Sequence, residues 1–322
     1  MVPKTKNKYN DVNTYINKFR KQDRLRLKAI EEYDKELREM NRRKRGRPYK
    51  YTHTIILYSL IIAFMFRFSL RETIAYIVYN NLLHKTPNFR TLSYRFGKVP
   101  IHKYNEDILQ EVKGKRYIAV SIDATGLSFN TINPWFEEKH NVKGKRKWIK
   151  LEVIVDIESK KVLYHNLYTN SEINEAGHKR FRRTIDDLIA KGYDVKVLYA
   201  DALYDSYDNF QYLENKDILP VIKIRKRSVL SLRNRYEGRM RNGKDREVKR
   251  MRHLARDYYA LEQIYWERYK SRYKYGNREA VESAFSSIKR KFGDKVRFKK
   301  HRNVVNEVNL IIYLYNLFRD DE

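Results

Sequence analysis

The chain of 322 residues contains no cysteine. Disulfides, thiolate metal sites and cysteine nucleophiles are therefore excluded, and nothing favours secretion. No secretory signal is read at its start. Glycine and proline are scarce, 11 and 6 residues, and no Gly-rich phosphate loop occurs, so no ATP requirement is indicated. Histidine is limited to 8 residues, which favours oxygen-ligated ions over zinc. Long apolar runs are missing too. The most membrane-like stretch, Ile55–Phe66, stops at Arg67, whereas a spanning helix needs about 20 apolar residues. It reads as a buried helix, and no membrane role is expected.

Acid is in deficit: 40 Asp+Glu stand against 70 Lys+Arg, a formal charge of +30. Such an excess speaks of partners and not of fold. Nucleic acid and anionic membranes are the usual partners of so basic a chain, and the 27 tyrosines either fill the core or suit base stacking and phosphate contact. Residues 1–50 carry a net +10, with Arg43, Lys44, Arg45 and Arg47 nearly contiguous. This segment is expected to be a flexible basic arm that tracks phosphates.

Residues 51–112 read as helical. One helix covers Thr52–Phe68. A second starts at Ser69, where Glu72 completes a capping box, and runs to about Leu83. His84-Lys85-Thr86-Pro87-Asn88 breaks the chain before a third helix, Phe89–Phe96, which carries Arg90 and Arg95. Three short helices ending on a basic one fit a helix-turn-helix DNA-binding domain, the favoured reading, or a helical bundle that binds no DNA.

Residues 113–322 change grammar. Short apolar runs at Tyr117–Ile122, Trp148–Ile157, Val162–Tyr168, Val195–Ala200 and Ile218–Ile224 read as five strands. Helices are expected at Glu175–Lys191, Ser206–Asn215 and Val304–Phe318. The fold class is α/β: a mixed five-stranded sheet flanked by helices, preceded by the N-terminal helical region. A basic insertion at about 225–270 interrupts it, with 12 cations against 3 acids in residues 223–250. Trp266 within it reads as a buried aromatic or a base-stacking residue.

The first and fourth strands each end in an acid, Asp123 and Asp201. Sites collect where parallel strands end. A third acid, Glu282, lies in Tyr275-x2-Arg278-x3-Glu282-x6-Lys289. On an α-helix all four side chains fall within an arc of roughly 60°. Ala280, Val281, Ala284, Phe285, Ile288 and Phe292 make a separate core-facing stripe. Three hard oxygen donors without thiolates suit Mg²⁺ or Mn²⁺. Two such ions support phosphodiester cleavage. Weaker candidates are His178, Asp205, Asp208, His140 and Lys143–Lys147.

With these blocks the chain resembles the DDE transposases of prokaryotic insertion sequences, whose catalytic core is ribonuclease H-like. The resemblance is carried by Ser121-Ile122-Asp123-Ala124-Thr125, by Tyr199-Ala200-Asp201-Ala202-Leu203-Tyr204-Asp205 and by the ungapped signature from Tyr275 to Lys289. It implies that Asp123, Asp201 and Glu282 hold two divalent ions, Mg²⁺ or Mn²⁺. It further implies that Tyr275, Arg278 and Lys289 contact transposon-end DNA, and that the partners are inverted-repeat ends and target DNA. A homodimer on paired ends, in a cytoplasmic, nucleoid-associated setting, also follows from it. The 80 residues between Asp201 and Glu282 read as basic and helical, unlike the β-rich insert of some relatives. A nuclease of the same superfold and a non-catalytic DNA-binding protein are the competing readings.

Overall fold

The computed structural model describes residues 12–129, 148–168, 176–223, 270–298 and 300–319. They fall into two compact units, one from 1–108 with 296–322 and one from 109–295.

The first unit is helical and is built around α3 (His53–Met65). Thr54 through Phe64 are all buried. A helix apolar on every side must be wrapped by others, and α1 (Val12–Glu31), α4 (Leu70–Tyr79), α5 (Phe89–Phe96) and α10 (His301–Leu317) pack on it. The buried Thr52 hydroxyl caps α3, accepting the Ile55 N–H at 3.1 Å. Arg67, in the left-handed region at φ 56°, turns the chain out of it. The expected capping box opens α4. Ser69 Oγ accepts from Glu72 N at 3.2 Å, and Glu72 Oε2 accepts from Ser69 N at 2.7 Å. The axes of α3 and α4 differ by 108°, within the range of a helix-turn-helix pair. Among the described residues no single helix is long and apolar enough to cross a membrane.

The arm is described from residue 12 to residue 50, and its stretch 12–41 is not extended. It forms α1 and α2 (Tyr33–Asn41). Ala29 and Tyr33 are buried against Ile55, Tyr58, Ile62 and Ile77, with Leu25, Ile30 and Leu37 packed alongside. The four-residue spacing of Leu25, Ala29, Tyr33 and Leu37 is a helical stripe that the surrounding charge conceals. Gly97 sits close to α10: a Cβ there would meet Asn303 Oδ1 at 2.6 Å, so a larger residue would have to displace that side chain.

The second unit is the sheet, entered from α6 (Ile101–Lys113), whose Leu109 and Val112 join its core. Its strands are β1 (Ile118–Phe129), β2 (Trp148–Asp156), β3 (Val162–Tyr168), β4 (Val195–Ala200) and β5 (Leu219–Ile222). They lie in the order β3-β2-β1-β4-β5, with the two-residue β6 (Lys295–Val296) on β1. β1, β2 and β3 run antiparallel, while β4 and β5 run parallel to β1. This mixed ribonuclease H-like sheet is the expected one, with one short strand more. α7 (His178–Ala190) and α8 (Tyr207–Asn215) serve one face, where Phe181, Ile185 and Leu188 meet Val120 and Ile122. α9 (Glu279–Phe292) packs on β1 and β2.

The expected 113–322 segment included its last helix. The compact units instead group α10 with the N-terminal helices. Its buried residues, Val304, Val308, Ile312 and Leu314 among them, complete the helical unit, where Asn306 Nδ2 donates to the Phe96 and Val99 carbonyls.

Candidate active site

The parallel β1–β4 ladder ends at the pair Ile122–Ala200, so Asp123 and Asp201 are the next residues on adjacent strands. β1 does not stop there, as the sequence led one to expect; it continues to Phe129, paired with β2. The end of the parallel pairing, and not the end of the strand, defines the site. Alternation along the strands sets the face. Ser121 Oγ donates to the Arg278 carbonyl at 3.0 Å, and Thr125 Oγ1 accepts from Lys289 Nζ at 2.6 Å. Asp123, between them in phase, therefore lies on the α9 face. Tyr199 OH accepts from Asn277 Nδ2 at 3.3 Å, which puts Asp201 on that face too.

Burial pushes the Asp123 carboxyl up to about 6. The Ala124 N–H opposes this, the negative charge of Asp201 adds to it, Arg278 opposes it and Glu282 adds to it. The three acids thus share one electrostatic neighbourhood. Each is already engaged. Asp123 Oδ1 accepts from Ala124 N at 2.8 Å, Asp201 Oδ1 from Leu203 N at 2.7 Å, and Glu282 Oε1 from Arg278 Nη1 at 2.6 Å.

The signature is not one continuous α-helix. Tyr275–Arg278 forms a 3-10 turn, and α9 begins at Glu279. The tighter winding of that turn rotates Tyr275 off the expected arc. Tyr275 is buried against the sheet core, its OH 3.5 Å from the Ala200 carbonyl oxygen and within reach of the charges of Arg278, Asp201 and Glu282. Arg278, partly buried, and the exposed Glu282 do stand together, and Lys289 reaches β1 two residues beyond Asp123. The apolar stripe from Ala280 to Phe292 is buried as expected.

The helical unit separates its predicted cations. Arg43, Arg45, Arg47 and Arg90 are exposed, and Lys44 is partly so. Lys44 Nζ donates to the Arg45 and Arg47 carbonyls and lies 4.8 Å from the Tyr49 ring centre. Arg95 is only 3% exposed. It donates to the Tyr51 carbonyl at 3.1 Å, meets His53 Nδ1 at 3.4 Å and lies 4.1 Å from the Tyr49 ring centre. It is a structural cation, since its partners are the backbone and rings that close the loop before α3. Burial, with Arg95 adding, lowers the His53 pKa to about 4. A cavity of about 540 Å³ in the same unit is lined by Phe64, Arg67, Phe68, Glu72, Arg297 and Phe298, among others.

His178 and Asp208 are exposed and Asp205 is buried. Ser206, not an aspartate, caps α8 through the Asn209 N–H at 3.2 Å. His140, Lys143–Lys147, Trp266 and all of the basic insertion except Lys270 lie outside the described residues.

A buried carboxylate of the sheet lies outside the residues expected from the sequence. Glu152, 1% exposed, sits on β2 and accepts from Tyr168, Asn166, Thr184 and Tyr204. Its signal was legible: an acid inside the apolar run Leu151–Val155.

Among the described residues no three Asp, Glu, Cys or His side chains form a ready metal cage. Glu282 is paired with Arg278 instead. The donor chemistry still fits a hard divalent ion. Asp123 and Asp201 directly follow the paired Ile122 and Ala200, and Glu282 is an exposed side chain on the helix packed against β1.

The chain is 24% identical, over 261 residues, to an uncharacterized protein of Aquifex aeolicus (strain VF5), covering 78% of this chain and 72% of that protein. Among solved structures it is similar to the Mos1 transposase paired-end complex with left transposon end, at 12% identity, 68% and 80% coverage of this and that chain, and TM-score 0.24. It is also similar to the Drosophila P element transposase strand transfer complex, at 11% identity, 85% and 66% coverage, and TM-score 0.31. A family model for the transposase DDE domain matches residues 114–317, the stretch that supplies β1 with Asp123, β4 with Asp201 and α9 with Glu282; the chain belongs to that family.

Proposed function

We propose that this transposase cleaves DNA at the ends of a mobile element and joins the freed 3′ end to target DNA, using Asp123, Asp201 and Glu282. The observation that carries the reading is the Ile122–Ala200 register, which brings two acids together on the face served by the helix of the third. Bound Mg²⁺ or Mn²⁺, two ions in this reading, would supply nucleophile activation and stabilise the leaving oxygen. Asp123 and Asp201 would hold them with Glu282, which must first leave Arg278. Arg278 and Lys289 would then be free to take phosphate oxygens beside the acids. In the first step water attacks phosphorus and a 3′ hydroxyl leaves. In the second that hydroxyl attacks a target phosphodiester. One P–O bond forms for each one broken, so no nucleoside triphosphate is consumed.

The exposed Arg43, Arg45, Arg47 and Arg90, with Lys44, would contribute phosphate contacts from the helical unit. Tyr275 and Arg95 keep structural roles. DNA ends and target DNA are the proposed partners, a homodimer on paired ends the working assembly, and the nucleoid its setting in the cytoplasm.

The test is Mg²⁺-dependent cleavage of duplexes carrying the element's inverted repeats. Glu282→Gln, Asp123→Asn and Asp201→Asn should each lower cleavage by about a thousandfold or more while retaining the fold. Unchanged cleavage in Glu282→Gln would remove the catalytic assignment. A pre-cut end with a free 3′ hydroxyl should insert into a plasmid; cleavage without insertion would favour a nuclease of the same superfold.

A further inference from the structure

A carboxylate buried in a sheet core is costly, and a well-packed apolar residue would usually serve stability better. Glu152 is nonetheless 1% exposed, and donors from three separate elements converge on it. Its Oε2 accepts from Tyr168 OH and Asn166 Nδ2 of β3 and from Thr184 Oγ1 of α7, each at 3.1 Å. Its Oε1 faces Tyr204 OH at 3.4 Å. Tyr204 is the informative partner. It is fully buried, its ring lies 5.6 Å from that of Phe181, and its carbonyl accepts from Asn209 Nδ2 at 3.0 Å. It also closes the 3-10 turn Ala202–Tyr204, whose cap is Asp201.

The backbone of Glu152 is paired beside the other acid, Asp123. Across the β1–β2 ladder its Cα partner is Ala124, the residue after Asp123. Neighbouring residues of a strand point to opposite faces. Glu152 therefore lies beneath the sheet at the level of the site, with Asp123 above. A single buried side chain links the strand position next to one acid with the turn that begins at the other.

We propose that Glu152, acting through Tyr204, is a positioning residue that fixes the separation of Asp123 and Asp201. This deepens the proposed function and rests on its metal assignment. A carboxylate does what an apolar residue could not: hydrogen bonds are directional, so four donors on one group set β2, β3, α7 and the Asp201 turn in one register.

The experiment uses the full chain and measures Mn²⁺ binding by electron paramagnetic resonance of the free ion, with thermal unfolding in parallel. Tyr204→Phe removes one hydroxyl and keeps the ring. Tyr212→Phe is the control, because Tyr212 OH donates to Asp186 at 2.6 Å and so links α8 to α7. Tyr204→Phe and Glu152→Gln should weaken Mn²⁺ binding by about tenfold, as loss of outer partners does at metal sites. Tyr212→Phe should leave it unchanged at a similar melting temperature. Tyr204→Phe with wild-type Mn²⁺ affinity, whatever its melting temperature, overturns the proposal; if Glu152→Gln fails to fold, Tyr204→Phe decides alone. If Asp123→Asn and Asp201→Asn bind Mn²⁺ as the wild type does, or the wild type binds none, the metal assignment itself falls and the proposal with it.

Discussion

Arg90 and Arg95 show how little a residue type says without its surroundings. They lie five positions apart on one basic helix, one exposed and the other 3% exposed. Arg90→Ala should leave thermal stability unchanged and reduce the salt slope of DNA affinity by about 0.9. Arg95→Ala should destabilise the helical unit by roughly 2–4 kcal/mol, because it strips a buried donor from the Tyr51 carbonyl and the stacked face of Tyr49. Chemical denaturation and salt titration of the two variants separate the roles. Tyr275 follows the same logic. Tyr275→Phe should fold normally, since it keeps the buried ring and loses only a hydroxyl, which lies 3.5 Å from the Ala200 carbonyl oxygen and is also bonded to Arg278. Tyr275→Ala should cost about 3–5 kcal/mol, as truncation of a buried ring does. Nothing in the one-dimensional pattern separated these residues from their exposed neighbours, because exposure is a property of what packs on top.

Elements were more legible than contacts. α3, α4, α5, α8 and α10 fall within a few residues of where caps and apolar periodicity placed them. Local signals suffice there: Thr52, Ser69 and Asn88 cap the helices that follow them. The turn before α9 was misjudged because 3-10 and α windings share the same periodic residues over a single turn. The C-terminal segment carries a prediction of its own. Glu307 of α10 is 1% exposed, and its carboxylate accepts the Arg297 and Phe298 N–H groups at 2.9–3.0 Å. Burial raises its pKa from 4.5 to about 7, against the pull of those N–H groups and of Arg297. The folded state then holds this proton more tightly than the unfolded state. Its contribution to stability is full below about 4.5 and is lost as pH rises through about 7. Melting of Glu307→Gln across that interval should show a flatter pH dependence than the wild type. An equal slope in both would exclude Glu307 as the titrating group.

For the molecule as a whole, charge and core make different demands on the same segment. Residues 1–50 are strongly basic, yet Ala29 and Tyr33 belong to the apolar cluster around α3. Deleting them should therefore unfold the helical unit as well as weaken DNA binding, measurable as loss of its cooperative melting transition. A deletion that bound DNA poorly but melted like the full chain would return the segment to the status of an arm. With a formal charge of +30, affinity for DNA should fall steeply with salt.

What the amino-acid order determined alone is whatever local chemistry controls: the helix caps, the alternation and length of the strands, and the spacing of Asp123, Asp201 and Glu282 that marks the family. The tertiary structure decided which groups meet across the fold. It paired Ile122 with Ala200, gave Glu282 to Arg278, sank Arg95 and Tyr275, and gathered four donors on Glu152. Those outcomes depend on burial and direction between residues far apart in the chain, and neither quantity exists until the chain has packed.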